Sequence, residues 1–146
     1  MRMRSPENES LILAMWDDYE REGLPGILRW AADDARWRPH SAGGRVFVGT
    51  AAYREQVEQA QATGIRVESV KLGLWSHDDV VVVRGRIRTR RGSVLDDTRL
   101  YWLHRIRDHK VVWTSSSPDL AGLIQEAGLE RGLVPKAFME LHKEPA

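Results

Sequence analysis

His104 is the residue of this sequence with the clearest capacity for chemistry. Strand-like alternation places it on the same apolar face as Leu100, Trp102 and Ile106. We predict that this face lines a cavity. A neutral imidazole there could exchange a proton with a bound ketone or enol, because the pKa of histidine lies close to neutrality. His104 is therefore our candidate for a general acid or base.

A purely structural role for His104 is the alternative. Thr114 and Ser116 follow on the next predicted strand, and either hydroxyl could hydrogen-bond the imidazole. In a binding site these hydroxyls would steady the ring and contact a substrate. In a core they would only satisfy a buried histidine. The residues alone leave both interpretations open.

Aromatic residues are the second candidate feature, since six tryptophans occur among 146 residues. Trp16, Trp37, Trp102 and Tyr19, with Trp113 as a further candidate, could form a box around a flat apolar ligand. The ordinary alternative is a packed core. The two overlap because the wall of a cavity is also core, and the number of tryptophans favours a cavity.

Metal chemistry has little support in the sequence. His77, His109 and His142 fall in predicted turns or in the C-terminal tail. No His-Glu-x-x-His or His-x-His spacing occurs, and there is no cysteine. We therefore expect no metal, no disulfide and no cofactor.

Three long predicted strands position His104 and its neighbours. They cover residues 80–90, 94–107 and 110–116, where Val, Ile, Thr, Tyr and Trp dominate. Residues 91–93 and 108–109 carry the turn signals between them. In the first strand Val81, Val83, Gly85 and Ile87 share one face and the arginines share the other. The segments before this sheet must cover its apolar face.

Segments whose apolar residues recur at helical spacing precede the strands. Ser5 can cap a first helix at Pro6, and Gly23 can end it. Pro25 opens a second helix, which we expect to end at residues 33–34. The other predicted elements are short strands at 36–40 and 45–48, a helix at 51–62, a strand at 65–76 and a helix at 120–127.

Length and charge limit the possible classes. The chain suits one domain, which we place at residues 1–128, followed by a tail at 129–146 in which Phe138, Met139 and Leu141 could form a docked turn. The net charge of +1 indicates no general affinity for nucleic acid. No apolar run approaches the length of a signal sequence or membrane span. We expect a cytoplasmic α+β protein with a mostly antiparallel sheet.

Several short motifs resemble one family. Residues 32–35 and 49–55 (Ala-Asp-Asp-Ala and Gly-Thr-Ala-Ala-Tyr-Arg-Glu), residues 105–111 and residues 119–123 look like structural segments of the NTF2-like, or SnoaL-like, superfamily. That resemblance implies a cystatin-like cone: a curved sheet closed by three N-terminal helices around one apolar pocket. It also implies a homodimer packed through the outer face of the sheet.

The ketosteroid isomerases of that superfamily use a tyrosine and an aspartic acid as oxyanion donors and a second aspartate as the base. In this sequence the tyrosine position falls on Trp16, and the donor aspartate falls on Trp102 or Leu103. The base falls near residues 38–40, where no carboxylate occurs. The resemblance therefore argues against steroid isomerisation by that machinery, although His40 could replace the base at the cavity mouth. Alternatively, His40 is a solvated loop residue.

Charged residues offer two weaker hypotheses. The epoxide hydrolases of the superfamily need an Asp-Arg-Asp cluster, but Asp97 and Arg99 have the strand parity of Tyr101 and so face away from Trp102. The densest basic run is Arg84, Arg86, Arg88, Arg90 and Arg91. We interpret it as a solvated or dimer-facing surface paired with Glu68, Asp96 and Asp97, and we expect no nucleic-acid partner.

Two functions remain. The first is a SnoaL-like enzyme that isomerises, cyclises or dehydrates an apolar or aromatic carbonyl compound by proton transfer, with His104 or His40 as acid or base. Its predicted substrate contacts are Trp16, Tyr19, Trp37, Trp102, Thr114 and Ser116. The second is a non-catalytic ligand-binding or dimerisation module, which the missing carboxylates favour.

Overall fold

The computed structural model describes residues 4–130 together with Gly132, Val134 and Phe138. The helices are α1 (Pro6–Glu22), α2 (Leu24–Leu28), α3 (Thr50–Ala62) and α4 (Leu120–Glu126), with a 3-10 turn at His40–Ala42. The strands are β1 (Ala31–Arg38), β2 (Phe47–Val48), β3 (Ile65–His77), β4 (Val80–Arg91), β5 (Val94–Arg107) and β6 (Lys110–Ser117). No helix in this part of the chain is long and apolar enough to cross a membrane.

The strands form one six-stranded sheet in the order β2-β1-β6-β5-β4-β3. The β1–β6 pair is parallel and the other pairs are antiparallel. The predicted α+β class and mostly antiparallel sheet are confirmed. So are the three long strands, whose bounds differ from the prediction by one residue at most.

The inner face of the sheet is the face that packs against α1. Ser5 caps this helix by accepting from the backbone N–H of Asn8, and Gly23 ends it with a φ of 75°. Its apolar stripe meets the alternate residues of β4 and β5 that the sequence placed together. This inner core contains Leu11, Ile12, Met15, Trp16, Val81, Val83, Leu100, Trp102, Ile106 and Val111. Strand parity therefore assigned the faces correctly.

The long strands bend where the side chains are smallest. A Cβ on Gly85 would lie 2.0 Å from the carbonyl oxygen of Val70 on β3. The β3–β4 register shifts between Lys71 and Gly73, which marks a bulge beside this contact. A bulge bends its strand and increases the local twist. The sheet is therefore curved at this point and does not lie flat.

The outer face of the sheet is covered along part of its length by α4 and by residues that follow it. This outer core contains Val80, Val82, Tyr101, Leu103, Leu120, Leu123, Ile124, Ala127, Val134 and Phe138. Arg105 donates to the carbonyl oxygen of Ala127 and so satisfies the end of α4. Phe138 of the predicted docked turn is buried here, whereas Met139, Leu141 and His142 lie outside the described residues.

The second helix is shorter than predicted. It ends at Leu28, and β1 already begins at Ala31, so the expectation that Asp33 and Asp34 end a helix is wrong. Both aspartates lie where the β1–β6 register shifts, between Ala31 and Arg36, and both are exposed. Tertiary strand pairing overrides helical propensity here. The second short strand is likewise reduced to Phe47–Val48.

Candidate functional site

A cavity of about 640 Å³ lies between the inner face of the sheet and helices α1, α2 and α3. We call it the inner cavity. Its walls are mostly rings and aliphatic chains, to which α3 contributes Tyr53, Val57 and Ala60. The residues that line it include Trp16, Tyr19, Trp37, His40, Tyr53, Trp102, His104, Thr114 and Ser116.

Strand register places the polar residues of the inner cavity in one row. Trp37 on β1 is opposite Thr114 on β6, and Thr114 is opposite His104 on β5. Because neighbouring strands keep side chains of opposed residues on one face, these three side chains stand next to one another. The next row brings Ser116 opposite Trp102. The sheet therefore assembles residues from distant parts of the sequence.

Trp16, His104 and Thr114 are joined by hydrogen bonds, and we call them the polar triad. The indole Nε1 of Trp16 donates to Nε2 of His104 at 3.3 Å. Nδ1 of His104 lies 2.9 Å from Oγ1 of Thr114. Thr114 thus steadies the imidazole as the sequence suggested. Trp16 is a second partner of His104 that the sequence did not indicate.

Burial holds His104 in its neutral form. Its side chain belongs to a residue that is 2% exposed, and removal from water lowers the pKa of the imidazole to about 3. An imidazolium could not accept from Trp16, because both of its ring nitrogens would carry protons. His104 is therefore a fixed neutral group with both nitrogens already bonded. To accept a proton on Nε2 it must first lose its contact with Trp16.

His40 occupies a different position, at the cavity mouth. Its side chain is exposed, and its backbone N–H donates to Oγ of Ser116 at 2.8 Å. Ser116 thus ties the mouth to the sheet and is not the hydroxyl that bonds His104. Arg38 also borders the mouth, but its guanidinium bonds Ser115 and Glu126 instead of turning inward.

The aromatic wall contains most of the residues predicted for it. Trp16 contacts Trp102 edge-on at 4.9 Å between ring centroids and Tyr19 at 6.0 Å. Trp37 stacks on Tyr53 at 4.4 Å. The sequence places Tyr53 in the predicted helix at 51–62, and no local signal joined it to Trp37.

Trp113 does not belong to this wall. It packs against the outer core, so the prediction of Trp113 as a further member of the aromatic box is wrong. Trp113 follows Val112 and precedes Thr114 in a strand whose side chains alternate between faces. Since Thr114 faces the inner cavity, its immediate neighbour faces the other way.

Two phenols lie at another part of the inner cavity. The hydroxyl oxygen of Tyr19 accepts from the backbone N–H of Ser69 at 3.0 Å. Burial, and secondarily the presence of Tyr19, raises the pKa of Tyr53 to about 12. Tyr53 is therefore a neutral phenol and not a phenolate.

The arginines of β4 lie outside the inner cavity. Arg86 bonds Asp97 at 2.9 Å, and Arg88 approaches Glu68 at 3.4 Å. These pairs agree with the interpretation of a paired surface for Arg86 and Arg88, whereas the guanidinium of Arg84 lies over the ring of Phe138. Asp97 is held on the outer face, where parity had placed it, so it is not available for epoxide chemistry in the cavity. Within residues 4–130 and the three described positions beyond them, no three His, Asp or Glu side chains are grouped to hold a metal ion.

Comparison with known proteins identifies the family. The SnoaL-like domain matches residues 12–114, and the chain belongs to that family. No functionally curated protein matches the chain. The predicted membership of the NTF2-like, or SnoaL-like, superfamily is thereby confirmed.

Solved structures agree with the NTF2-like cone. An NTF2-like protein of unknown function from Burkholderia pseudomallei is similar with a TM-score of 0.68 and 18% identity, over 83% of this chain and 97% of its own. TerC, co-crystallised with polyporic acid, has a TM-score of 0.66 and 19% identity, over 81% and 95%. A candidate polyketide cyclase from Xanthomonas campestris pv. campestris has a TM-score of 0.63 and 13% identity, over 81% and 94%. At such identities the likeness establishes the fold and not the activity.

Proposed function

We propose that this chain is a SnoaL-like enzyme that transfers a proton within an apolar, ring-bearing carbonyl compound and so isomerises, cyclises or dehydrates it without a cofactor. The observation that carries the proposal is the inner cavity of about 640 Å³, with its aromatic wall and its polar triad. Cavities that take small molecules commonly measure about 300–1,000 Å³. The structural likeness to TerC, crystallised with polyporic acid, supports a ring-bearing ligand.

Two imidazoles could move the proton. His40 is exposed at the mouth and can pass a proton to solvent. His104 is buried and neutral, with a pKa lowered to about 3 by burial, which makes it a weak base. We therefore assign the transfer to His40 first and keep His104 as the second candidate. In both cases the aromatic wall would hold the ring of the substrate.

A non-catalytic binding module is the second candidate function. One specific observation favours it: both nitrogens of His104 already have partners within the protein, so the most buried titratable group of the inner cavity is engaged before a ligand enters. Such a module would bind the same class of compound and transfer no proton.

Deuterium exchange separates the two functions. The full chain would be mixed with 1-tetralone in D₂O, and loss of the proton signal at the carbon beside the carbonyl would be followed by NMR. We expect the protein to accelerate the exchange and His40→Gln to remove most of the acceleration. His109→Gln is the matched control, because His109 is an exposed histidine that pairs with Glu7 outside the inner cavity.

The variants and the pH profile of the exchange identify the base. A rate that is lost in His40→Gln and kept in His104→Gln would assign the transfer to His40. A rate that is level from pH 5 to 8 and is lost in His104→Gln would assign the transfer to His104, whose pKa of about 3 leaves it neutral throughout that range. Binding of 1-tetralone with no accelerated exchange at any pH would establish the module instead.

The partner and the compartment belong to the same proposal. We expect a small apolar or aromatic ligand and a homodimer formed through the outer face of the sheet. A cytoplasmic location remains a prediction from the sequence.

A further inference from the structure

The hydrogen bonds of the polar triad have a direction. The indole N–H of Trp16 can only donate, so Nε2 of His104 must accept and carries no proton. A neutral imidazole then has its proton on Nδ1, which lies 2.9 Å from Oγ1 of Thr114. His104 therefore donates to Thr114. The hydrogen bonds of the triad therefore run in one direction, from Trp16 to His104 and from His104 to Thr114.

The hydroxyl of Thr114 ends this series. Its oxygen accepts from His104, and its single hydrogen remains available for another acceptor. Among residues 4–130 and the three described positions beyond them, the Thr114 side chain has no hydrogen-bond partner apart from His104. Thr114 is only partly buried and lines the inner cavity. A donor without an acceptor thus faces the space in which a ligand would lie.

We propose that the Thr114 hydroxyl donates the hydrogen bond that recognises the carbonyl or enolate oxygen of the ligand. This inference rests on the proposed function, because it requires a carbonyl compound in the inner cavity. It gives His104 a definite part as a positioning residue: His104 occupies the oxygen lone pair of Thr114 and so turns the hydroxyl hydrogen away from itself.

The surroundings of Thr114 strengthen such a donor. A donor fixed before the substrate arrives stabilises developing negative charge on oxygen more than a mobile one does. Hydrogen bonds in series also polarise one another. Thr114 is β-branched, and its backbone lies in register between Trp37 and His104, so few rotamers are open to it.

The experiment compares two ligands that differ in one oxygen. The full chain would be titrated with 1-tetralone carrying a ¹³C carbonyl and with tetralin, which has the same ring system and no oxygen. Infrared spectroscopy would measure the carbonyl stretch of bound 1-tetralone. In the wild-type protein we expect the stretch at lower frequency than in an alkane solvent, because a donor on the oxygen weakens the C=O bond.

Two substitutions at one position test the assignment. Thr114→Val keeps the shape and removes the hydroxyl, so we expect the frequency shift to disappear and the Kd for 1-tetralone to rise about tenfold. Thr114→Ser keeps the hydroxyl and should retain the shift. The Kd for tetralin should change less than twofold in both. A role confined to folding would change the Kd of both ligands together.

The direction of the triad can be measured without any variant. The ¹⁵N NMR spectrum of His104 in the wild-type protein should show a protonated Nδ1 and an unprotonated Nε2. The opposite tautomer would overturn the inference.

This inference would be overturned by an unshifted carbonyl frequency in the wild-type protein, or by an equal frequency shift in Thr114→Val. If both ligands still bound, the proposed function would not be affected by that result. Failure of both ligands to bind would overturn the proposed function and this inference with it.

Discussion

At the residue scale, His104 and His40 show how location separates two identical side chains. His104 contacts Trp16 and Thr114, and it stays neutral because burial removes the water that would solvate its charge. His40 lies at the mouth, where the described residues hydrogen-bond its backbone N–H and leave its side chain exposed. The first suits a positioning role and the second suits proton exchange, although both were candidates for the same chemistry.

The burial of His104 makes the stability of the protein depend on pH. Its pKa is about 3 in the folded protein against 6.5 for the ordinary group. Below about pH 6.5 the unfolded chain binds a proton that the folded protein does not bind, so the free energy of unfolding should decrease as the pH falls towards 3. The slope contributed by His104 reaches at most about 1.4 kcal/mol per pH unit. Urea unfolding between pH 7 and 4.5 would measure it.

His104→Gln provides the matched control for that slope. A glutamine amide can accept from Trp16 and donate to Thr114, yet it does not titrate. Other groups also make stability depend on pH. The pKa of Asp18 is lowered mainly by the hydrogen bond from Trp30, and the pKa of Asp97 is lowered mainly by Arg86. Both carboxyl groups are present in both proteins, so their contributions cancel when the two slopes are subtracted. Equal slopes in the two proteins would show that burial of His104 is not the cause.

At the element scale, the cavity depends on the bend of β3 and β4. The bend requires that the backbone of Gly85 approach the carbonyl of Val70 more closely than any side chain permits. The bulge between Lys71 and Gly73 lies at the same place, and Trp102 packs against Gly85 from the inner face. A glycine inside a strand normally weakens it. Here it allows the two strands to close around the inner cavity.

Gly85→Ala should therefore lower the free energy of unfolding by at least about 2 kcal/mol, because the new methyl group would lie 2.0 Å from a backbone oxygen that cannot rotate away. Gly122→Ala is the control, since the three atoms nearest its new methyl group would all belong to the Asp119 carboxylate, which can turn aside. There we expect a change within about 1 kcal/mol, partly offset by the better helix propensity of alanine. Thermal or urea unfolding of both variants measures the contrast. A Gly85→Ala protein as stable as wild type would show that the strands tolerate a wider spacing.

At the scale of the whole molecule, the outer face of the sheet is divided into two regions. Helix α4, with Val134 and Phe138, covers the region around Val82 and Tyr101. The region towards the β4–β5 turn, which we call the open region, carries the ion-paired Arg86 and Arg88 and also Leu95, which is 53% exposed. The homodimer that we propose through the outer face would use this open region, because α4, Val134 and Phe138 occupy the other one.

Leu95→Asp should convert the expected homodimer into a monomer, because it places a charge on the open region of the outer face. Val94→Asp makes the same change one residue earlier, at a position that is 61% exposed and faces the opposite side of the strand, and it should leave the dimer intact. Native mass spectrometry or sedimentation would give the mass of each species. A wild-type monomer, or equal dissociation in both variants, would contradict an interface on this face.

Much of the architecture was predictable because it follows from local rules. The spacing of apolar residues along the sequence predicted α1, α3 and the long strands. Strand alternation correctly predicted that His104, Trp102 and Leu100 share one face. Local rules failed at residues 29–34, where helical propensity was overridden by pairing of β1 with β6. Trp113 was misplaced for a different reason, because strand alternation counted from the inward-facing Thr114 puts Trp113 on the outer face.

The sequence by itself determined the family, the order of the elements, and a set of aromatic and titratable residues facing one side of the sheet. Only the tertiary structure decided which of them meet, because register between distant strands is a property of the assembled sheet. It paired Trp37 with Tyr53, brought Trp16 to His104, and gave Ser116 to the His40 backbone instead of to the imidazole. It also decided the charge of His104, since a pKa depends on the water that the folded protein excludes.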